Sequence, residues 1–254
     1  MTRPNPSYRV DLAQTSDDLL AAQRLRYEVF VAELGGGGEC VDHQARLEID
    51  AFDAQAEHLL LRDMQRDPDD QVVGVYRLMT EDGAAQGPGF YSASEFDLSP
   101  LTGSGRSLME LGRSCLHASY RGGDAMFHLW SALARLVAER GIDLLFGVAS
   151  FHGTDPDRYG AALSLLHRDH LAPPAVRVAS RVSEPMNRVA SAEIDRLAAL
   201  RDIPALIKAY LRLGGVVGEG AYVDHAFNTI DVCLILDSQN MPDRQRRIYA
   251  RGER

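Results

Sequence analysis

Ser150 and His152 stand two residues apart at the end of an apolar run, the residue types a hydrolase uses as nucleophile and base. The spacing argues against it. No G-x-S-x-G elbow surrounds Ser150, and side chains at i and i+2 of a strand share a face without supplying the third, orienting acid. Metal chemistry fares no better. His43, His58, His117, His128, His167, His170 and His225 show no H-E-x-x-H or comparable ligand spacing, so no metal site is expected. Lys208 is the sole lysine among 27 basic residues, and it lies in the helix-like stretch IPALIKAYLRL, where it reads as a surface residue rather than a Schiff-base former. No Walker lysine follows Gly35 to Gly38, so that run is not a P-loop. What remains is a set of spaced charges: Asp50-x-x-Asp53, Arg77, and Glu110-x-x-Arg113.

The rest of the composition describes the body that must hold them. With 254 residues, 45% hydrophobic and 25% charged, the chain is an ordinary globular protein able to bury a substantial core, not a collagen, coiled coil or disordered chain. A formal charge of −9 weighs against general nucleic-acid binding. Cys40, Cys115 and Cys233 are odd in number, far apart and without a C-x-x-C, which suits a reducing compartment. The N-terminus lacks an apolar signal core and no apolar stretch reaches the roughly 18 to 20 residues of a membrane span. A cytoplasmic protein is expected, with peripheral membrane contact left open.

The elements follow from periodicity. Residues 7–14 alternate as a strand; Thr15 or Ser16 then offers an N-cap to a helix carrying Leu19, Ala22, Leu25, Val29 and Phe30, ending at Gly35. Runs 56–64 and 71–80 read as an antiparallel hairpin. An extended run at 89–98 leads to a strand at 108–117, and a helix of about five turns opens after Gly123-Asp124. The continuous apolar run Ile142 to Phe151 reads as a buried central strand. Helices near 158–168 and 191–213 and strands at 216–223 and 229–236 complete an α/β chain with a mixed central sheet flanked by helices on both faces. One domain is expected over residues 1–242. The tail from 243 to 254, with Arg244, Arg246, Arg247, Arg251 and Arg254, reads as a solvated frayed end before it reads as a phosphate or lipid-headgroup contact.

This order of elements resembles the acyltransferase fold of the GNAT superfamily. LRYEVFVAELG (25–35), the Asp50/Asp53 pair, VYRL with Arg77, and Glu110-x-x-Arg113 look like the spaced residues of acyl-homoserine-lactone synthases, which use S-adenosylmethionine. The words FDAQAEHLLL, GFYSASEFDLSPL, ELGRSCLHASYR, HLWSALA, LLFGVASFHGTDP and YLRLGGVVGEGAYVDHAFNTIDVCLIL resemble bacterial L-ornithine Nα-acyltransferases, over about Tyr8 to Asp237. Gly35 to Gly38 replaces the tryptophan that many of the lactone synthases carry after the first helix, and Trp130 is the sole tryptophan. Those synthases are therefore cousins and the ornithine enzymes kin.

The resemblance implies transfer of a 3-hydroxyacyl chain from acyl carrier protein to the α-amine of L-ornithine, giving lyso-ornithine lipid, with no cofactor beyond the carrier's phosphopantetheine. Amide formation from a thioester needs a neutral amine, close approach and donors for the developing oxyanion. A carboxylate must accept the amine's proton, directly or through water. Glu110 is the first candidate; the alternative is that it only pairs with Arg113. Asp50, Asp53 and Arg113 form a plausible amino-acid site, a guanidinium fork for the α-carboxylate and paired carboxylates for the side-chain cation. The resemblance has Arg26 and Phe30 ordering residues 35–50, with Arg77 holding the network. Arg121, Gly122 and Gly123, at the start of the long helix, stand where the superfamily binds the phosphate of its donor. Val148, Phe151, Phe127, Leu129 and Trp130 suit an acyl slot, but a strand-plus-helix core uses the same residues and is the favoured reading for each. His152 orients the 3-hydroxyl or substrate carbonyl or does neither, and Asp155 caps the next helix.

Overall fold

The computed structural model describes residues 5–38, 41–182 and 184–240. The Arg-rich tail and Cys40 lie outside the described residues. In chain order the elements are β1 (Tyr8–Leu12), α1 (Ser16–Arg26), a π-helical segment (Tyr27–Glu33), β2 (Val41–Asp42), β3 (Leu47–Glu48), β4 (Glu57–Asp63), β5 (Val72–Thr80), α2 (Glu81–Ala85), β6 (Phe96–Asp97), α3 (Ser99–Thr102), β7 (Leu108–Leu116), α4 (Ala125–Arg140), β8 (Leu144–His152), α5 (Gly160–His170), β9 (Ala179–Ser180), α6 (Arg196–Asp202), α7 (Ala205–Arg212), β10 (Val216–Val217), β11 (Tyr222–Asp224) and β12 (Thr229–Asp237). Eight strands form a mixed sheet in the order β1-β4-β5-β7-β8-β12-β10, with β11 also on β12. Pairing of β7 with β8 is parallel and that of β8 with β12 antiparallel. The run at 142–151 therefore becomes a central strand, as its unbroken apolar character requires.

The described residues form two compact units, one within 5–88 together with 111–140, the other of 89–110 together with residues from 141 to 240. In the first, the hairpin β4–β5 pairs in register from Glu57↔Leu78 to Leu61↔Gly74. Helix α1 starts where Thr15 accepts from the Asp18 N–H at 3.1 Å while Asp18 accepts from the Thr15 N–H at 3.2 Å, a reciprocal cap. Its Ala22 and Leu25 pack on Leu60, Val72 and Val75. Neighbouring strand residues point to opposite faces, so Tyr76 faces away from α1, and there Trp130 of α4 donates to the Tyr76 hydroxyl at 3.1 Å. Helices thus cover both faces of this part of the sheet.

In the second unit Phe96, Leu98, Leu101, Leu108, Leu144, Phe146, Cys233 and Ile235 form an apolar core. The expected extended run at 89–98 is instead a 3-10 turn at Tyr91–Ser94 followed by two strand residues. Glu110 explains the difference, because it draws in the N–H groups of Tyr91 and Ser92 at 2.8 and 2.6 Å and curls the segment. The strand expected over 216–223 is likewise split into β10 and β11. Among the described residues no helix is long and apolar enough to cross a membrane.

Candidate functional site

Five of the residues singled out, four as spaced charges and Arg26 through the resemblance, converge in the first unit. Arg26 is the last residue of α1, Arg77 lies in β5, Arg113 in β7, and Asp50 and Asp53 in the turn after β3. Arg26 donates through Nη1 to Asp53 at 2.7 Å and through Nε to Glu48. Arg113 Nε reaches the other oxygen of Glu48 at 3.1 Å, and its Nη2 reaches Asp50 at 2.8 Å. Arg77 pairs with Asp50 and stands 3.8 Å from Asp53. Gln23 donates to the remaining oxygen of Asp53 at 2.9 Å.

Local backbone makes this meeting feasible. Asp50 accepts from the Phe52 N–H at 2.7 Å and Asp53 from the Asp50 N–H at 3.2 Å, so the acidic turn is closed on itself. Arg113 sits at φ 49, a left-handed irregularity within β7. Gly112 leaves room for the Arg77 guanidinium, whose Nη2 would be 3.4 Å from a Cβ at that position.

Three guanidiniums meet three carboxylates, and the charges cancel. Arg26 is fully buried; burial works against its charge, but Glu48 and Asp53 outweigh it and hold the pKa above the ordinary arginine value. Asp53 is pushed up by burial and pulled further down by Arg26, so it lies below the usual carboxylate range. Arg77 goes the other way: burial and the neighbouring charge of Arg113 lower it despite Asp50. His58 Nε2 lies 3.3 Å from the Asp53 carbonyl, and burial lowers its pKa.

The other expected residues of this unit lie apart from that network. Phe30 is half-buried against the α1 core. Arg121 gives both Nη groups to Glu33, one of them at 2.7 Å, and its Nε to the Leu116 carbonyl at 3.0 Å. Gly122 (φ 79) and Gly123 are exposed just before α4.

Glu110 belongs to the second unit, where it is 3% exposed and both its oxygens accept the backbone N–H groups described above. Register places Phe146 beside Glu110 and Ile235, Val148 beside Cys233, Ser150 beside Asp231, and His152 beside Thr229. One sheet face therefore runs from apolar Phe146 to exposed Ser150 and His152. Phe151 points to the opposite face, fully buried, with its ring 5.0 Å from that of Tyr159. Asp155 caps the following turn by accepting from the Asp157 N–H at 3.1 Å, as expected. Glu95, Asp224 and Asp231 bring carboxylate oxygens within 4.8 Å of one another.

Spacing did not single out Glu48, Gln23, Glu95, Asp224 or Asp231. A signal for two of them was present. Asp231 interrupts the otherwise apolar TIDVCLIL strand, and Glu48 makes the acidic turn an E-x-D-x-x-D word. Nothing local marks Gln23, Glu95 or Asp224.

Comparison with known proteins meets this geometry from the other side. Residues 25–131 match the model of the acetyltransferase (GNAT) domain. The L-ornithine N(alpha)-acyltransferase of Rhodobacter capsulatus is 51% identical over 96% of the chain and 95% of its own length. The protein of that name from Agrobacterium fabrum is 38% identical over 94% of the chain and 83% of its own length. Among solved structures, FeeM, an N-acyl amino acid synthase from uncultured soil microbes, superposes with a TM-score of 0.54 at 14% identity, over 93% of each chain. The acyl-homoserine-lactone synthase LasI gives 0.50 at 17% identity, over 92% of this chain and 91% of its own. These two share the fold. With the GNAT match and relatives this similar over nearly their whole length, the chain is an acyltransferase and belongs to the L-ornithine N(alpha)-acyltransferase family.

Proposed function

We propose that the protein moves a 3-hydroxyacyl chain from acyl carrier protein to the α-amine of L-ornithine, forming lyso-ornithine lipid by direct attack of the amine on the thioester. The observation that carries the reading is the 51% identity to a relative of that name across 96% of the chain. Direct attack needs no enzyme nucleophile, and the described thiols are poor ones. Cys115 and Cys233 are fully buried, and burial pushes the Cys115 pKa up to about 12 and that of Cys233 up as well.

In this reading Arg113, with Arg26, takes the α-carboxylate through its planar fork, while Asp50, Asp53 and Arg77 hold those guanidiniums in place. Within the second unit, His152 is the better candidate for the proton acceptor, because its side chain is exposed whereas both oxygens of Glu110 already accept N–H groups. Glu110 acts by fixing Tyr91 and Ser92, and its remaining lone pairs can still receive a proton through water. The exposed Gly122 and Gly123 ahead of α4 offer N–H groups to the single phosphate of a phosphopantetheine arm, and Arg121, tied to Glu33, braces that turn. Phe30 and Phe151 serve by packing, the first behind α1 and the second beneath the His152 strand. Work at the cytoplasmic face of a membrane suits a product with one fatty chain, which partitions into a bilayer.

The test is to supply purified protein with ornithine and, in parallel, a 3-hydroxyacyl carrier protein, the unsubstituted acyl carrier protein and the corresponding acyl-coenzyme A. The reading expects mass-spectrometric product with the first donor at the highest kcat/KM. Equal use of all three removes the donor assignment.

A further inference from the structure

Of the six charged groups in the buried network, Glu48 comes from a two-residue strand, β3, which packs on α1 and on the π-helical segment but is paired only within its own hairpin. Glu48 sits at the end of the β2–β3 hairpin, which has only two paired positions, Val41↔Glu48 and Asp42↔Leu47. Residues 42–46 are exposed. Before the hairpin runs Gly35 to Gly38, with φ 72 and 149 at its first and last residues. After it comes Ile49, 37% exposed, and then the separately closed Asp50–Asp53 turn. The hairpin is fastened to the rest of its unit by side chains. His43 Nδ1 lies 3.1 Å from the Tyr27 hydroxyl, the Arg46 guanidinium stands 4.9 Å over the Tyr27 ring, and Glu48 enters the network.

The manner of that entry matters. Glu48 gives one oxygen to Arg26 Nε and the other, at 3.1 Å, to Arg113 Nε. Any carboxylate offered to two guanidiniums would bind in this way, an amino acid's α-carboxylate included. Exchanging one carboxylate for another leaves three charges of each sign, so no guanidinium is stranded without a partner, which is the costly outcome for a buried ion pair.

We propose that Glu48 is a resident stand-in for the carboxylate of the amino-acid acceptor, so that the β2–β3 hairpin is a strap whose release frees the Arg26–Arg113 pair for substrate. The proposal rests on the amino-acid acceptor reading given above. The strap competes with the acceptor: if about 90% of molecules are closed, the apparent affinity for the acceptor is reduced about ten-fold.

The experiment begins by confirming that the wild-type protein acylates ornithine; without that activity the acceptor reading falls and the strap with it. Hydrogen–deuterium exchange of the full chain is then followed with L-ornithine and with putrescine, the same diamine without the carboxylate. Ornithine is expected to speed exchange of the amides of 41–48 several-fold while putrescine leaves them unchanged. Slowed or unchanged exchange with ornithine, or the same response to putrescine, overturns the strap and leaves the acceptor reading intact. As a second arm, Glu48→Gln, checked by its melting temperature, should lower KM for ornithine about ten-fold with kcat within about two-fold. Should that variant not fold, Tyr27→Phe with Arg46→Ala loosens the strap outside the ion network and should lower KM likewise. An unmoved or raised KM in the folded variant overturns the proposal.

Discussion

His152 and Arg26 show how differently two polar residues of one chain can be used. The imidazole of His152 is exposed and, among the described residues, makes no hydrogen bond or ion pair, whereas its backbone carbonyl accepts from the Tyr159 hydroxyl at 2.8 Å. His152→Ala should therefore leave the melting temperature within a degree or two while lowering kcat by about 10²- to 10⁴-fold, the range of a lost proton acceptor. Unchanged kcat in a folded variant would return the role to Glu110. Arg26 is the opposite case. Arg26→Met leaves one oxygen of Glu48 and one oxygen of Asp53 without their guanidinium, and should cost about 3–5 kcal/mol in denaturant unfolding. At this scale the sequence was legible where spacing repeats a recognisable word: Arg26, Asp50, Asp53, Arg77 and Arg113 do meet. Glu110 shows the limit. Its three-residue offset from Arg113 does not tell which neighbours a strand residue will find, and here they are the N–H groups of Tyr91 and Ser92.

Local signals determine where elements begin more clearly than how they continue. Thr15 or Ser16 was readable as a helix start, and the cap that Thr15 forms with Asp18 is reciprocal. Thr15→Ala should destabilise the protein by about 1 kcal/mol in a denaturant titration, with no change in KM. Asp18 adds a pH signature. Burial pushes its pKa up, but the Gln14 N–H and Arg62 together with Thr15 pull it down to about 2. A carboxylate depressed in the folded state contributes stability that is present above its unfolded value near 3.9 and is lost as pH falls through about 2. Asp18→Asn should flatten that part of an acid-unfolding curve; an identical slope would show the ion pair carries no weight. The continuation of the helix was not legible. From Tyr27 to Glu33 it widens to π geometry, with the Leu34 N–H donating to the Val29 carbonyl, five residues back, at 3.2 Å. An apolar stripe has nearly the same pattern in either helix, so periodicity does not separate them.

Across the described residues, buried charge is concentrated where Arg26, Arg77 and Arg113 meet Glu48, Asp50 and Asp53. One titration should betray the buried network. Burial lowers the His58 pKa, so the ring stays neutral in the fold while the unfolded chain takes up a proton near pH 6.5. The stability it permits is full above that value and declines as pH falls below it toward the folded value. His58→Phe should remove that decline from a melting-temperature profile between pH 7 and 5, whereas an unchanged profile would assign it elsewhere. The fold class was legible because alternation, a long amphipathic helix and one unbroken apolar strand are properties of sequence. The division into two compact units was not, since it depends on which distant segments pack together. The bond this protein makes is the most direct test of its chemistry. Incubated with 3-hydroxyacyl carrier protein and L-ornithine, it is predicted to yield one product whose tandem mass spectrum places the acyl chain in an amide on the α-nitrogen. Acylation at the side-chain nitrogen, a lactone formed only with S-adenosylmethionine, or free fatty acid alone would contradict it.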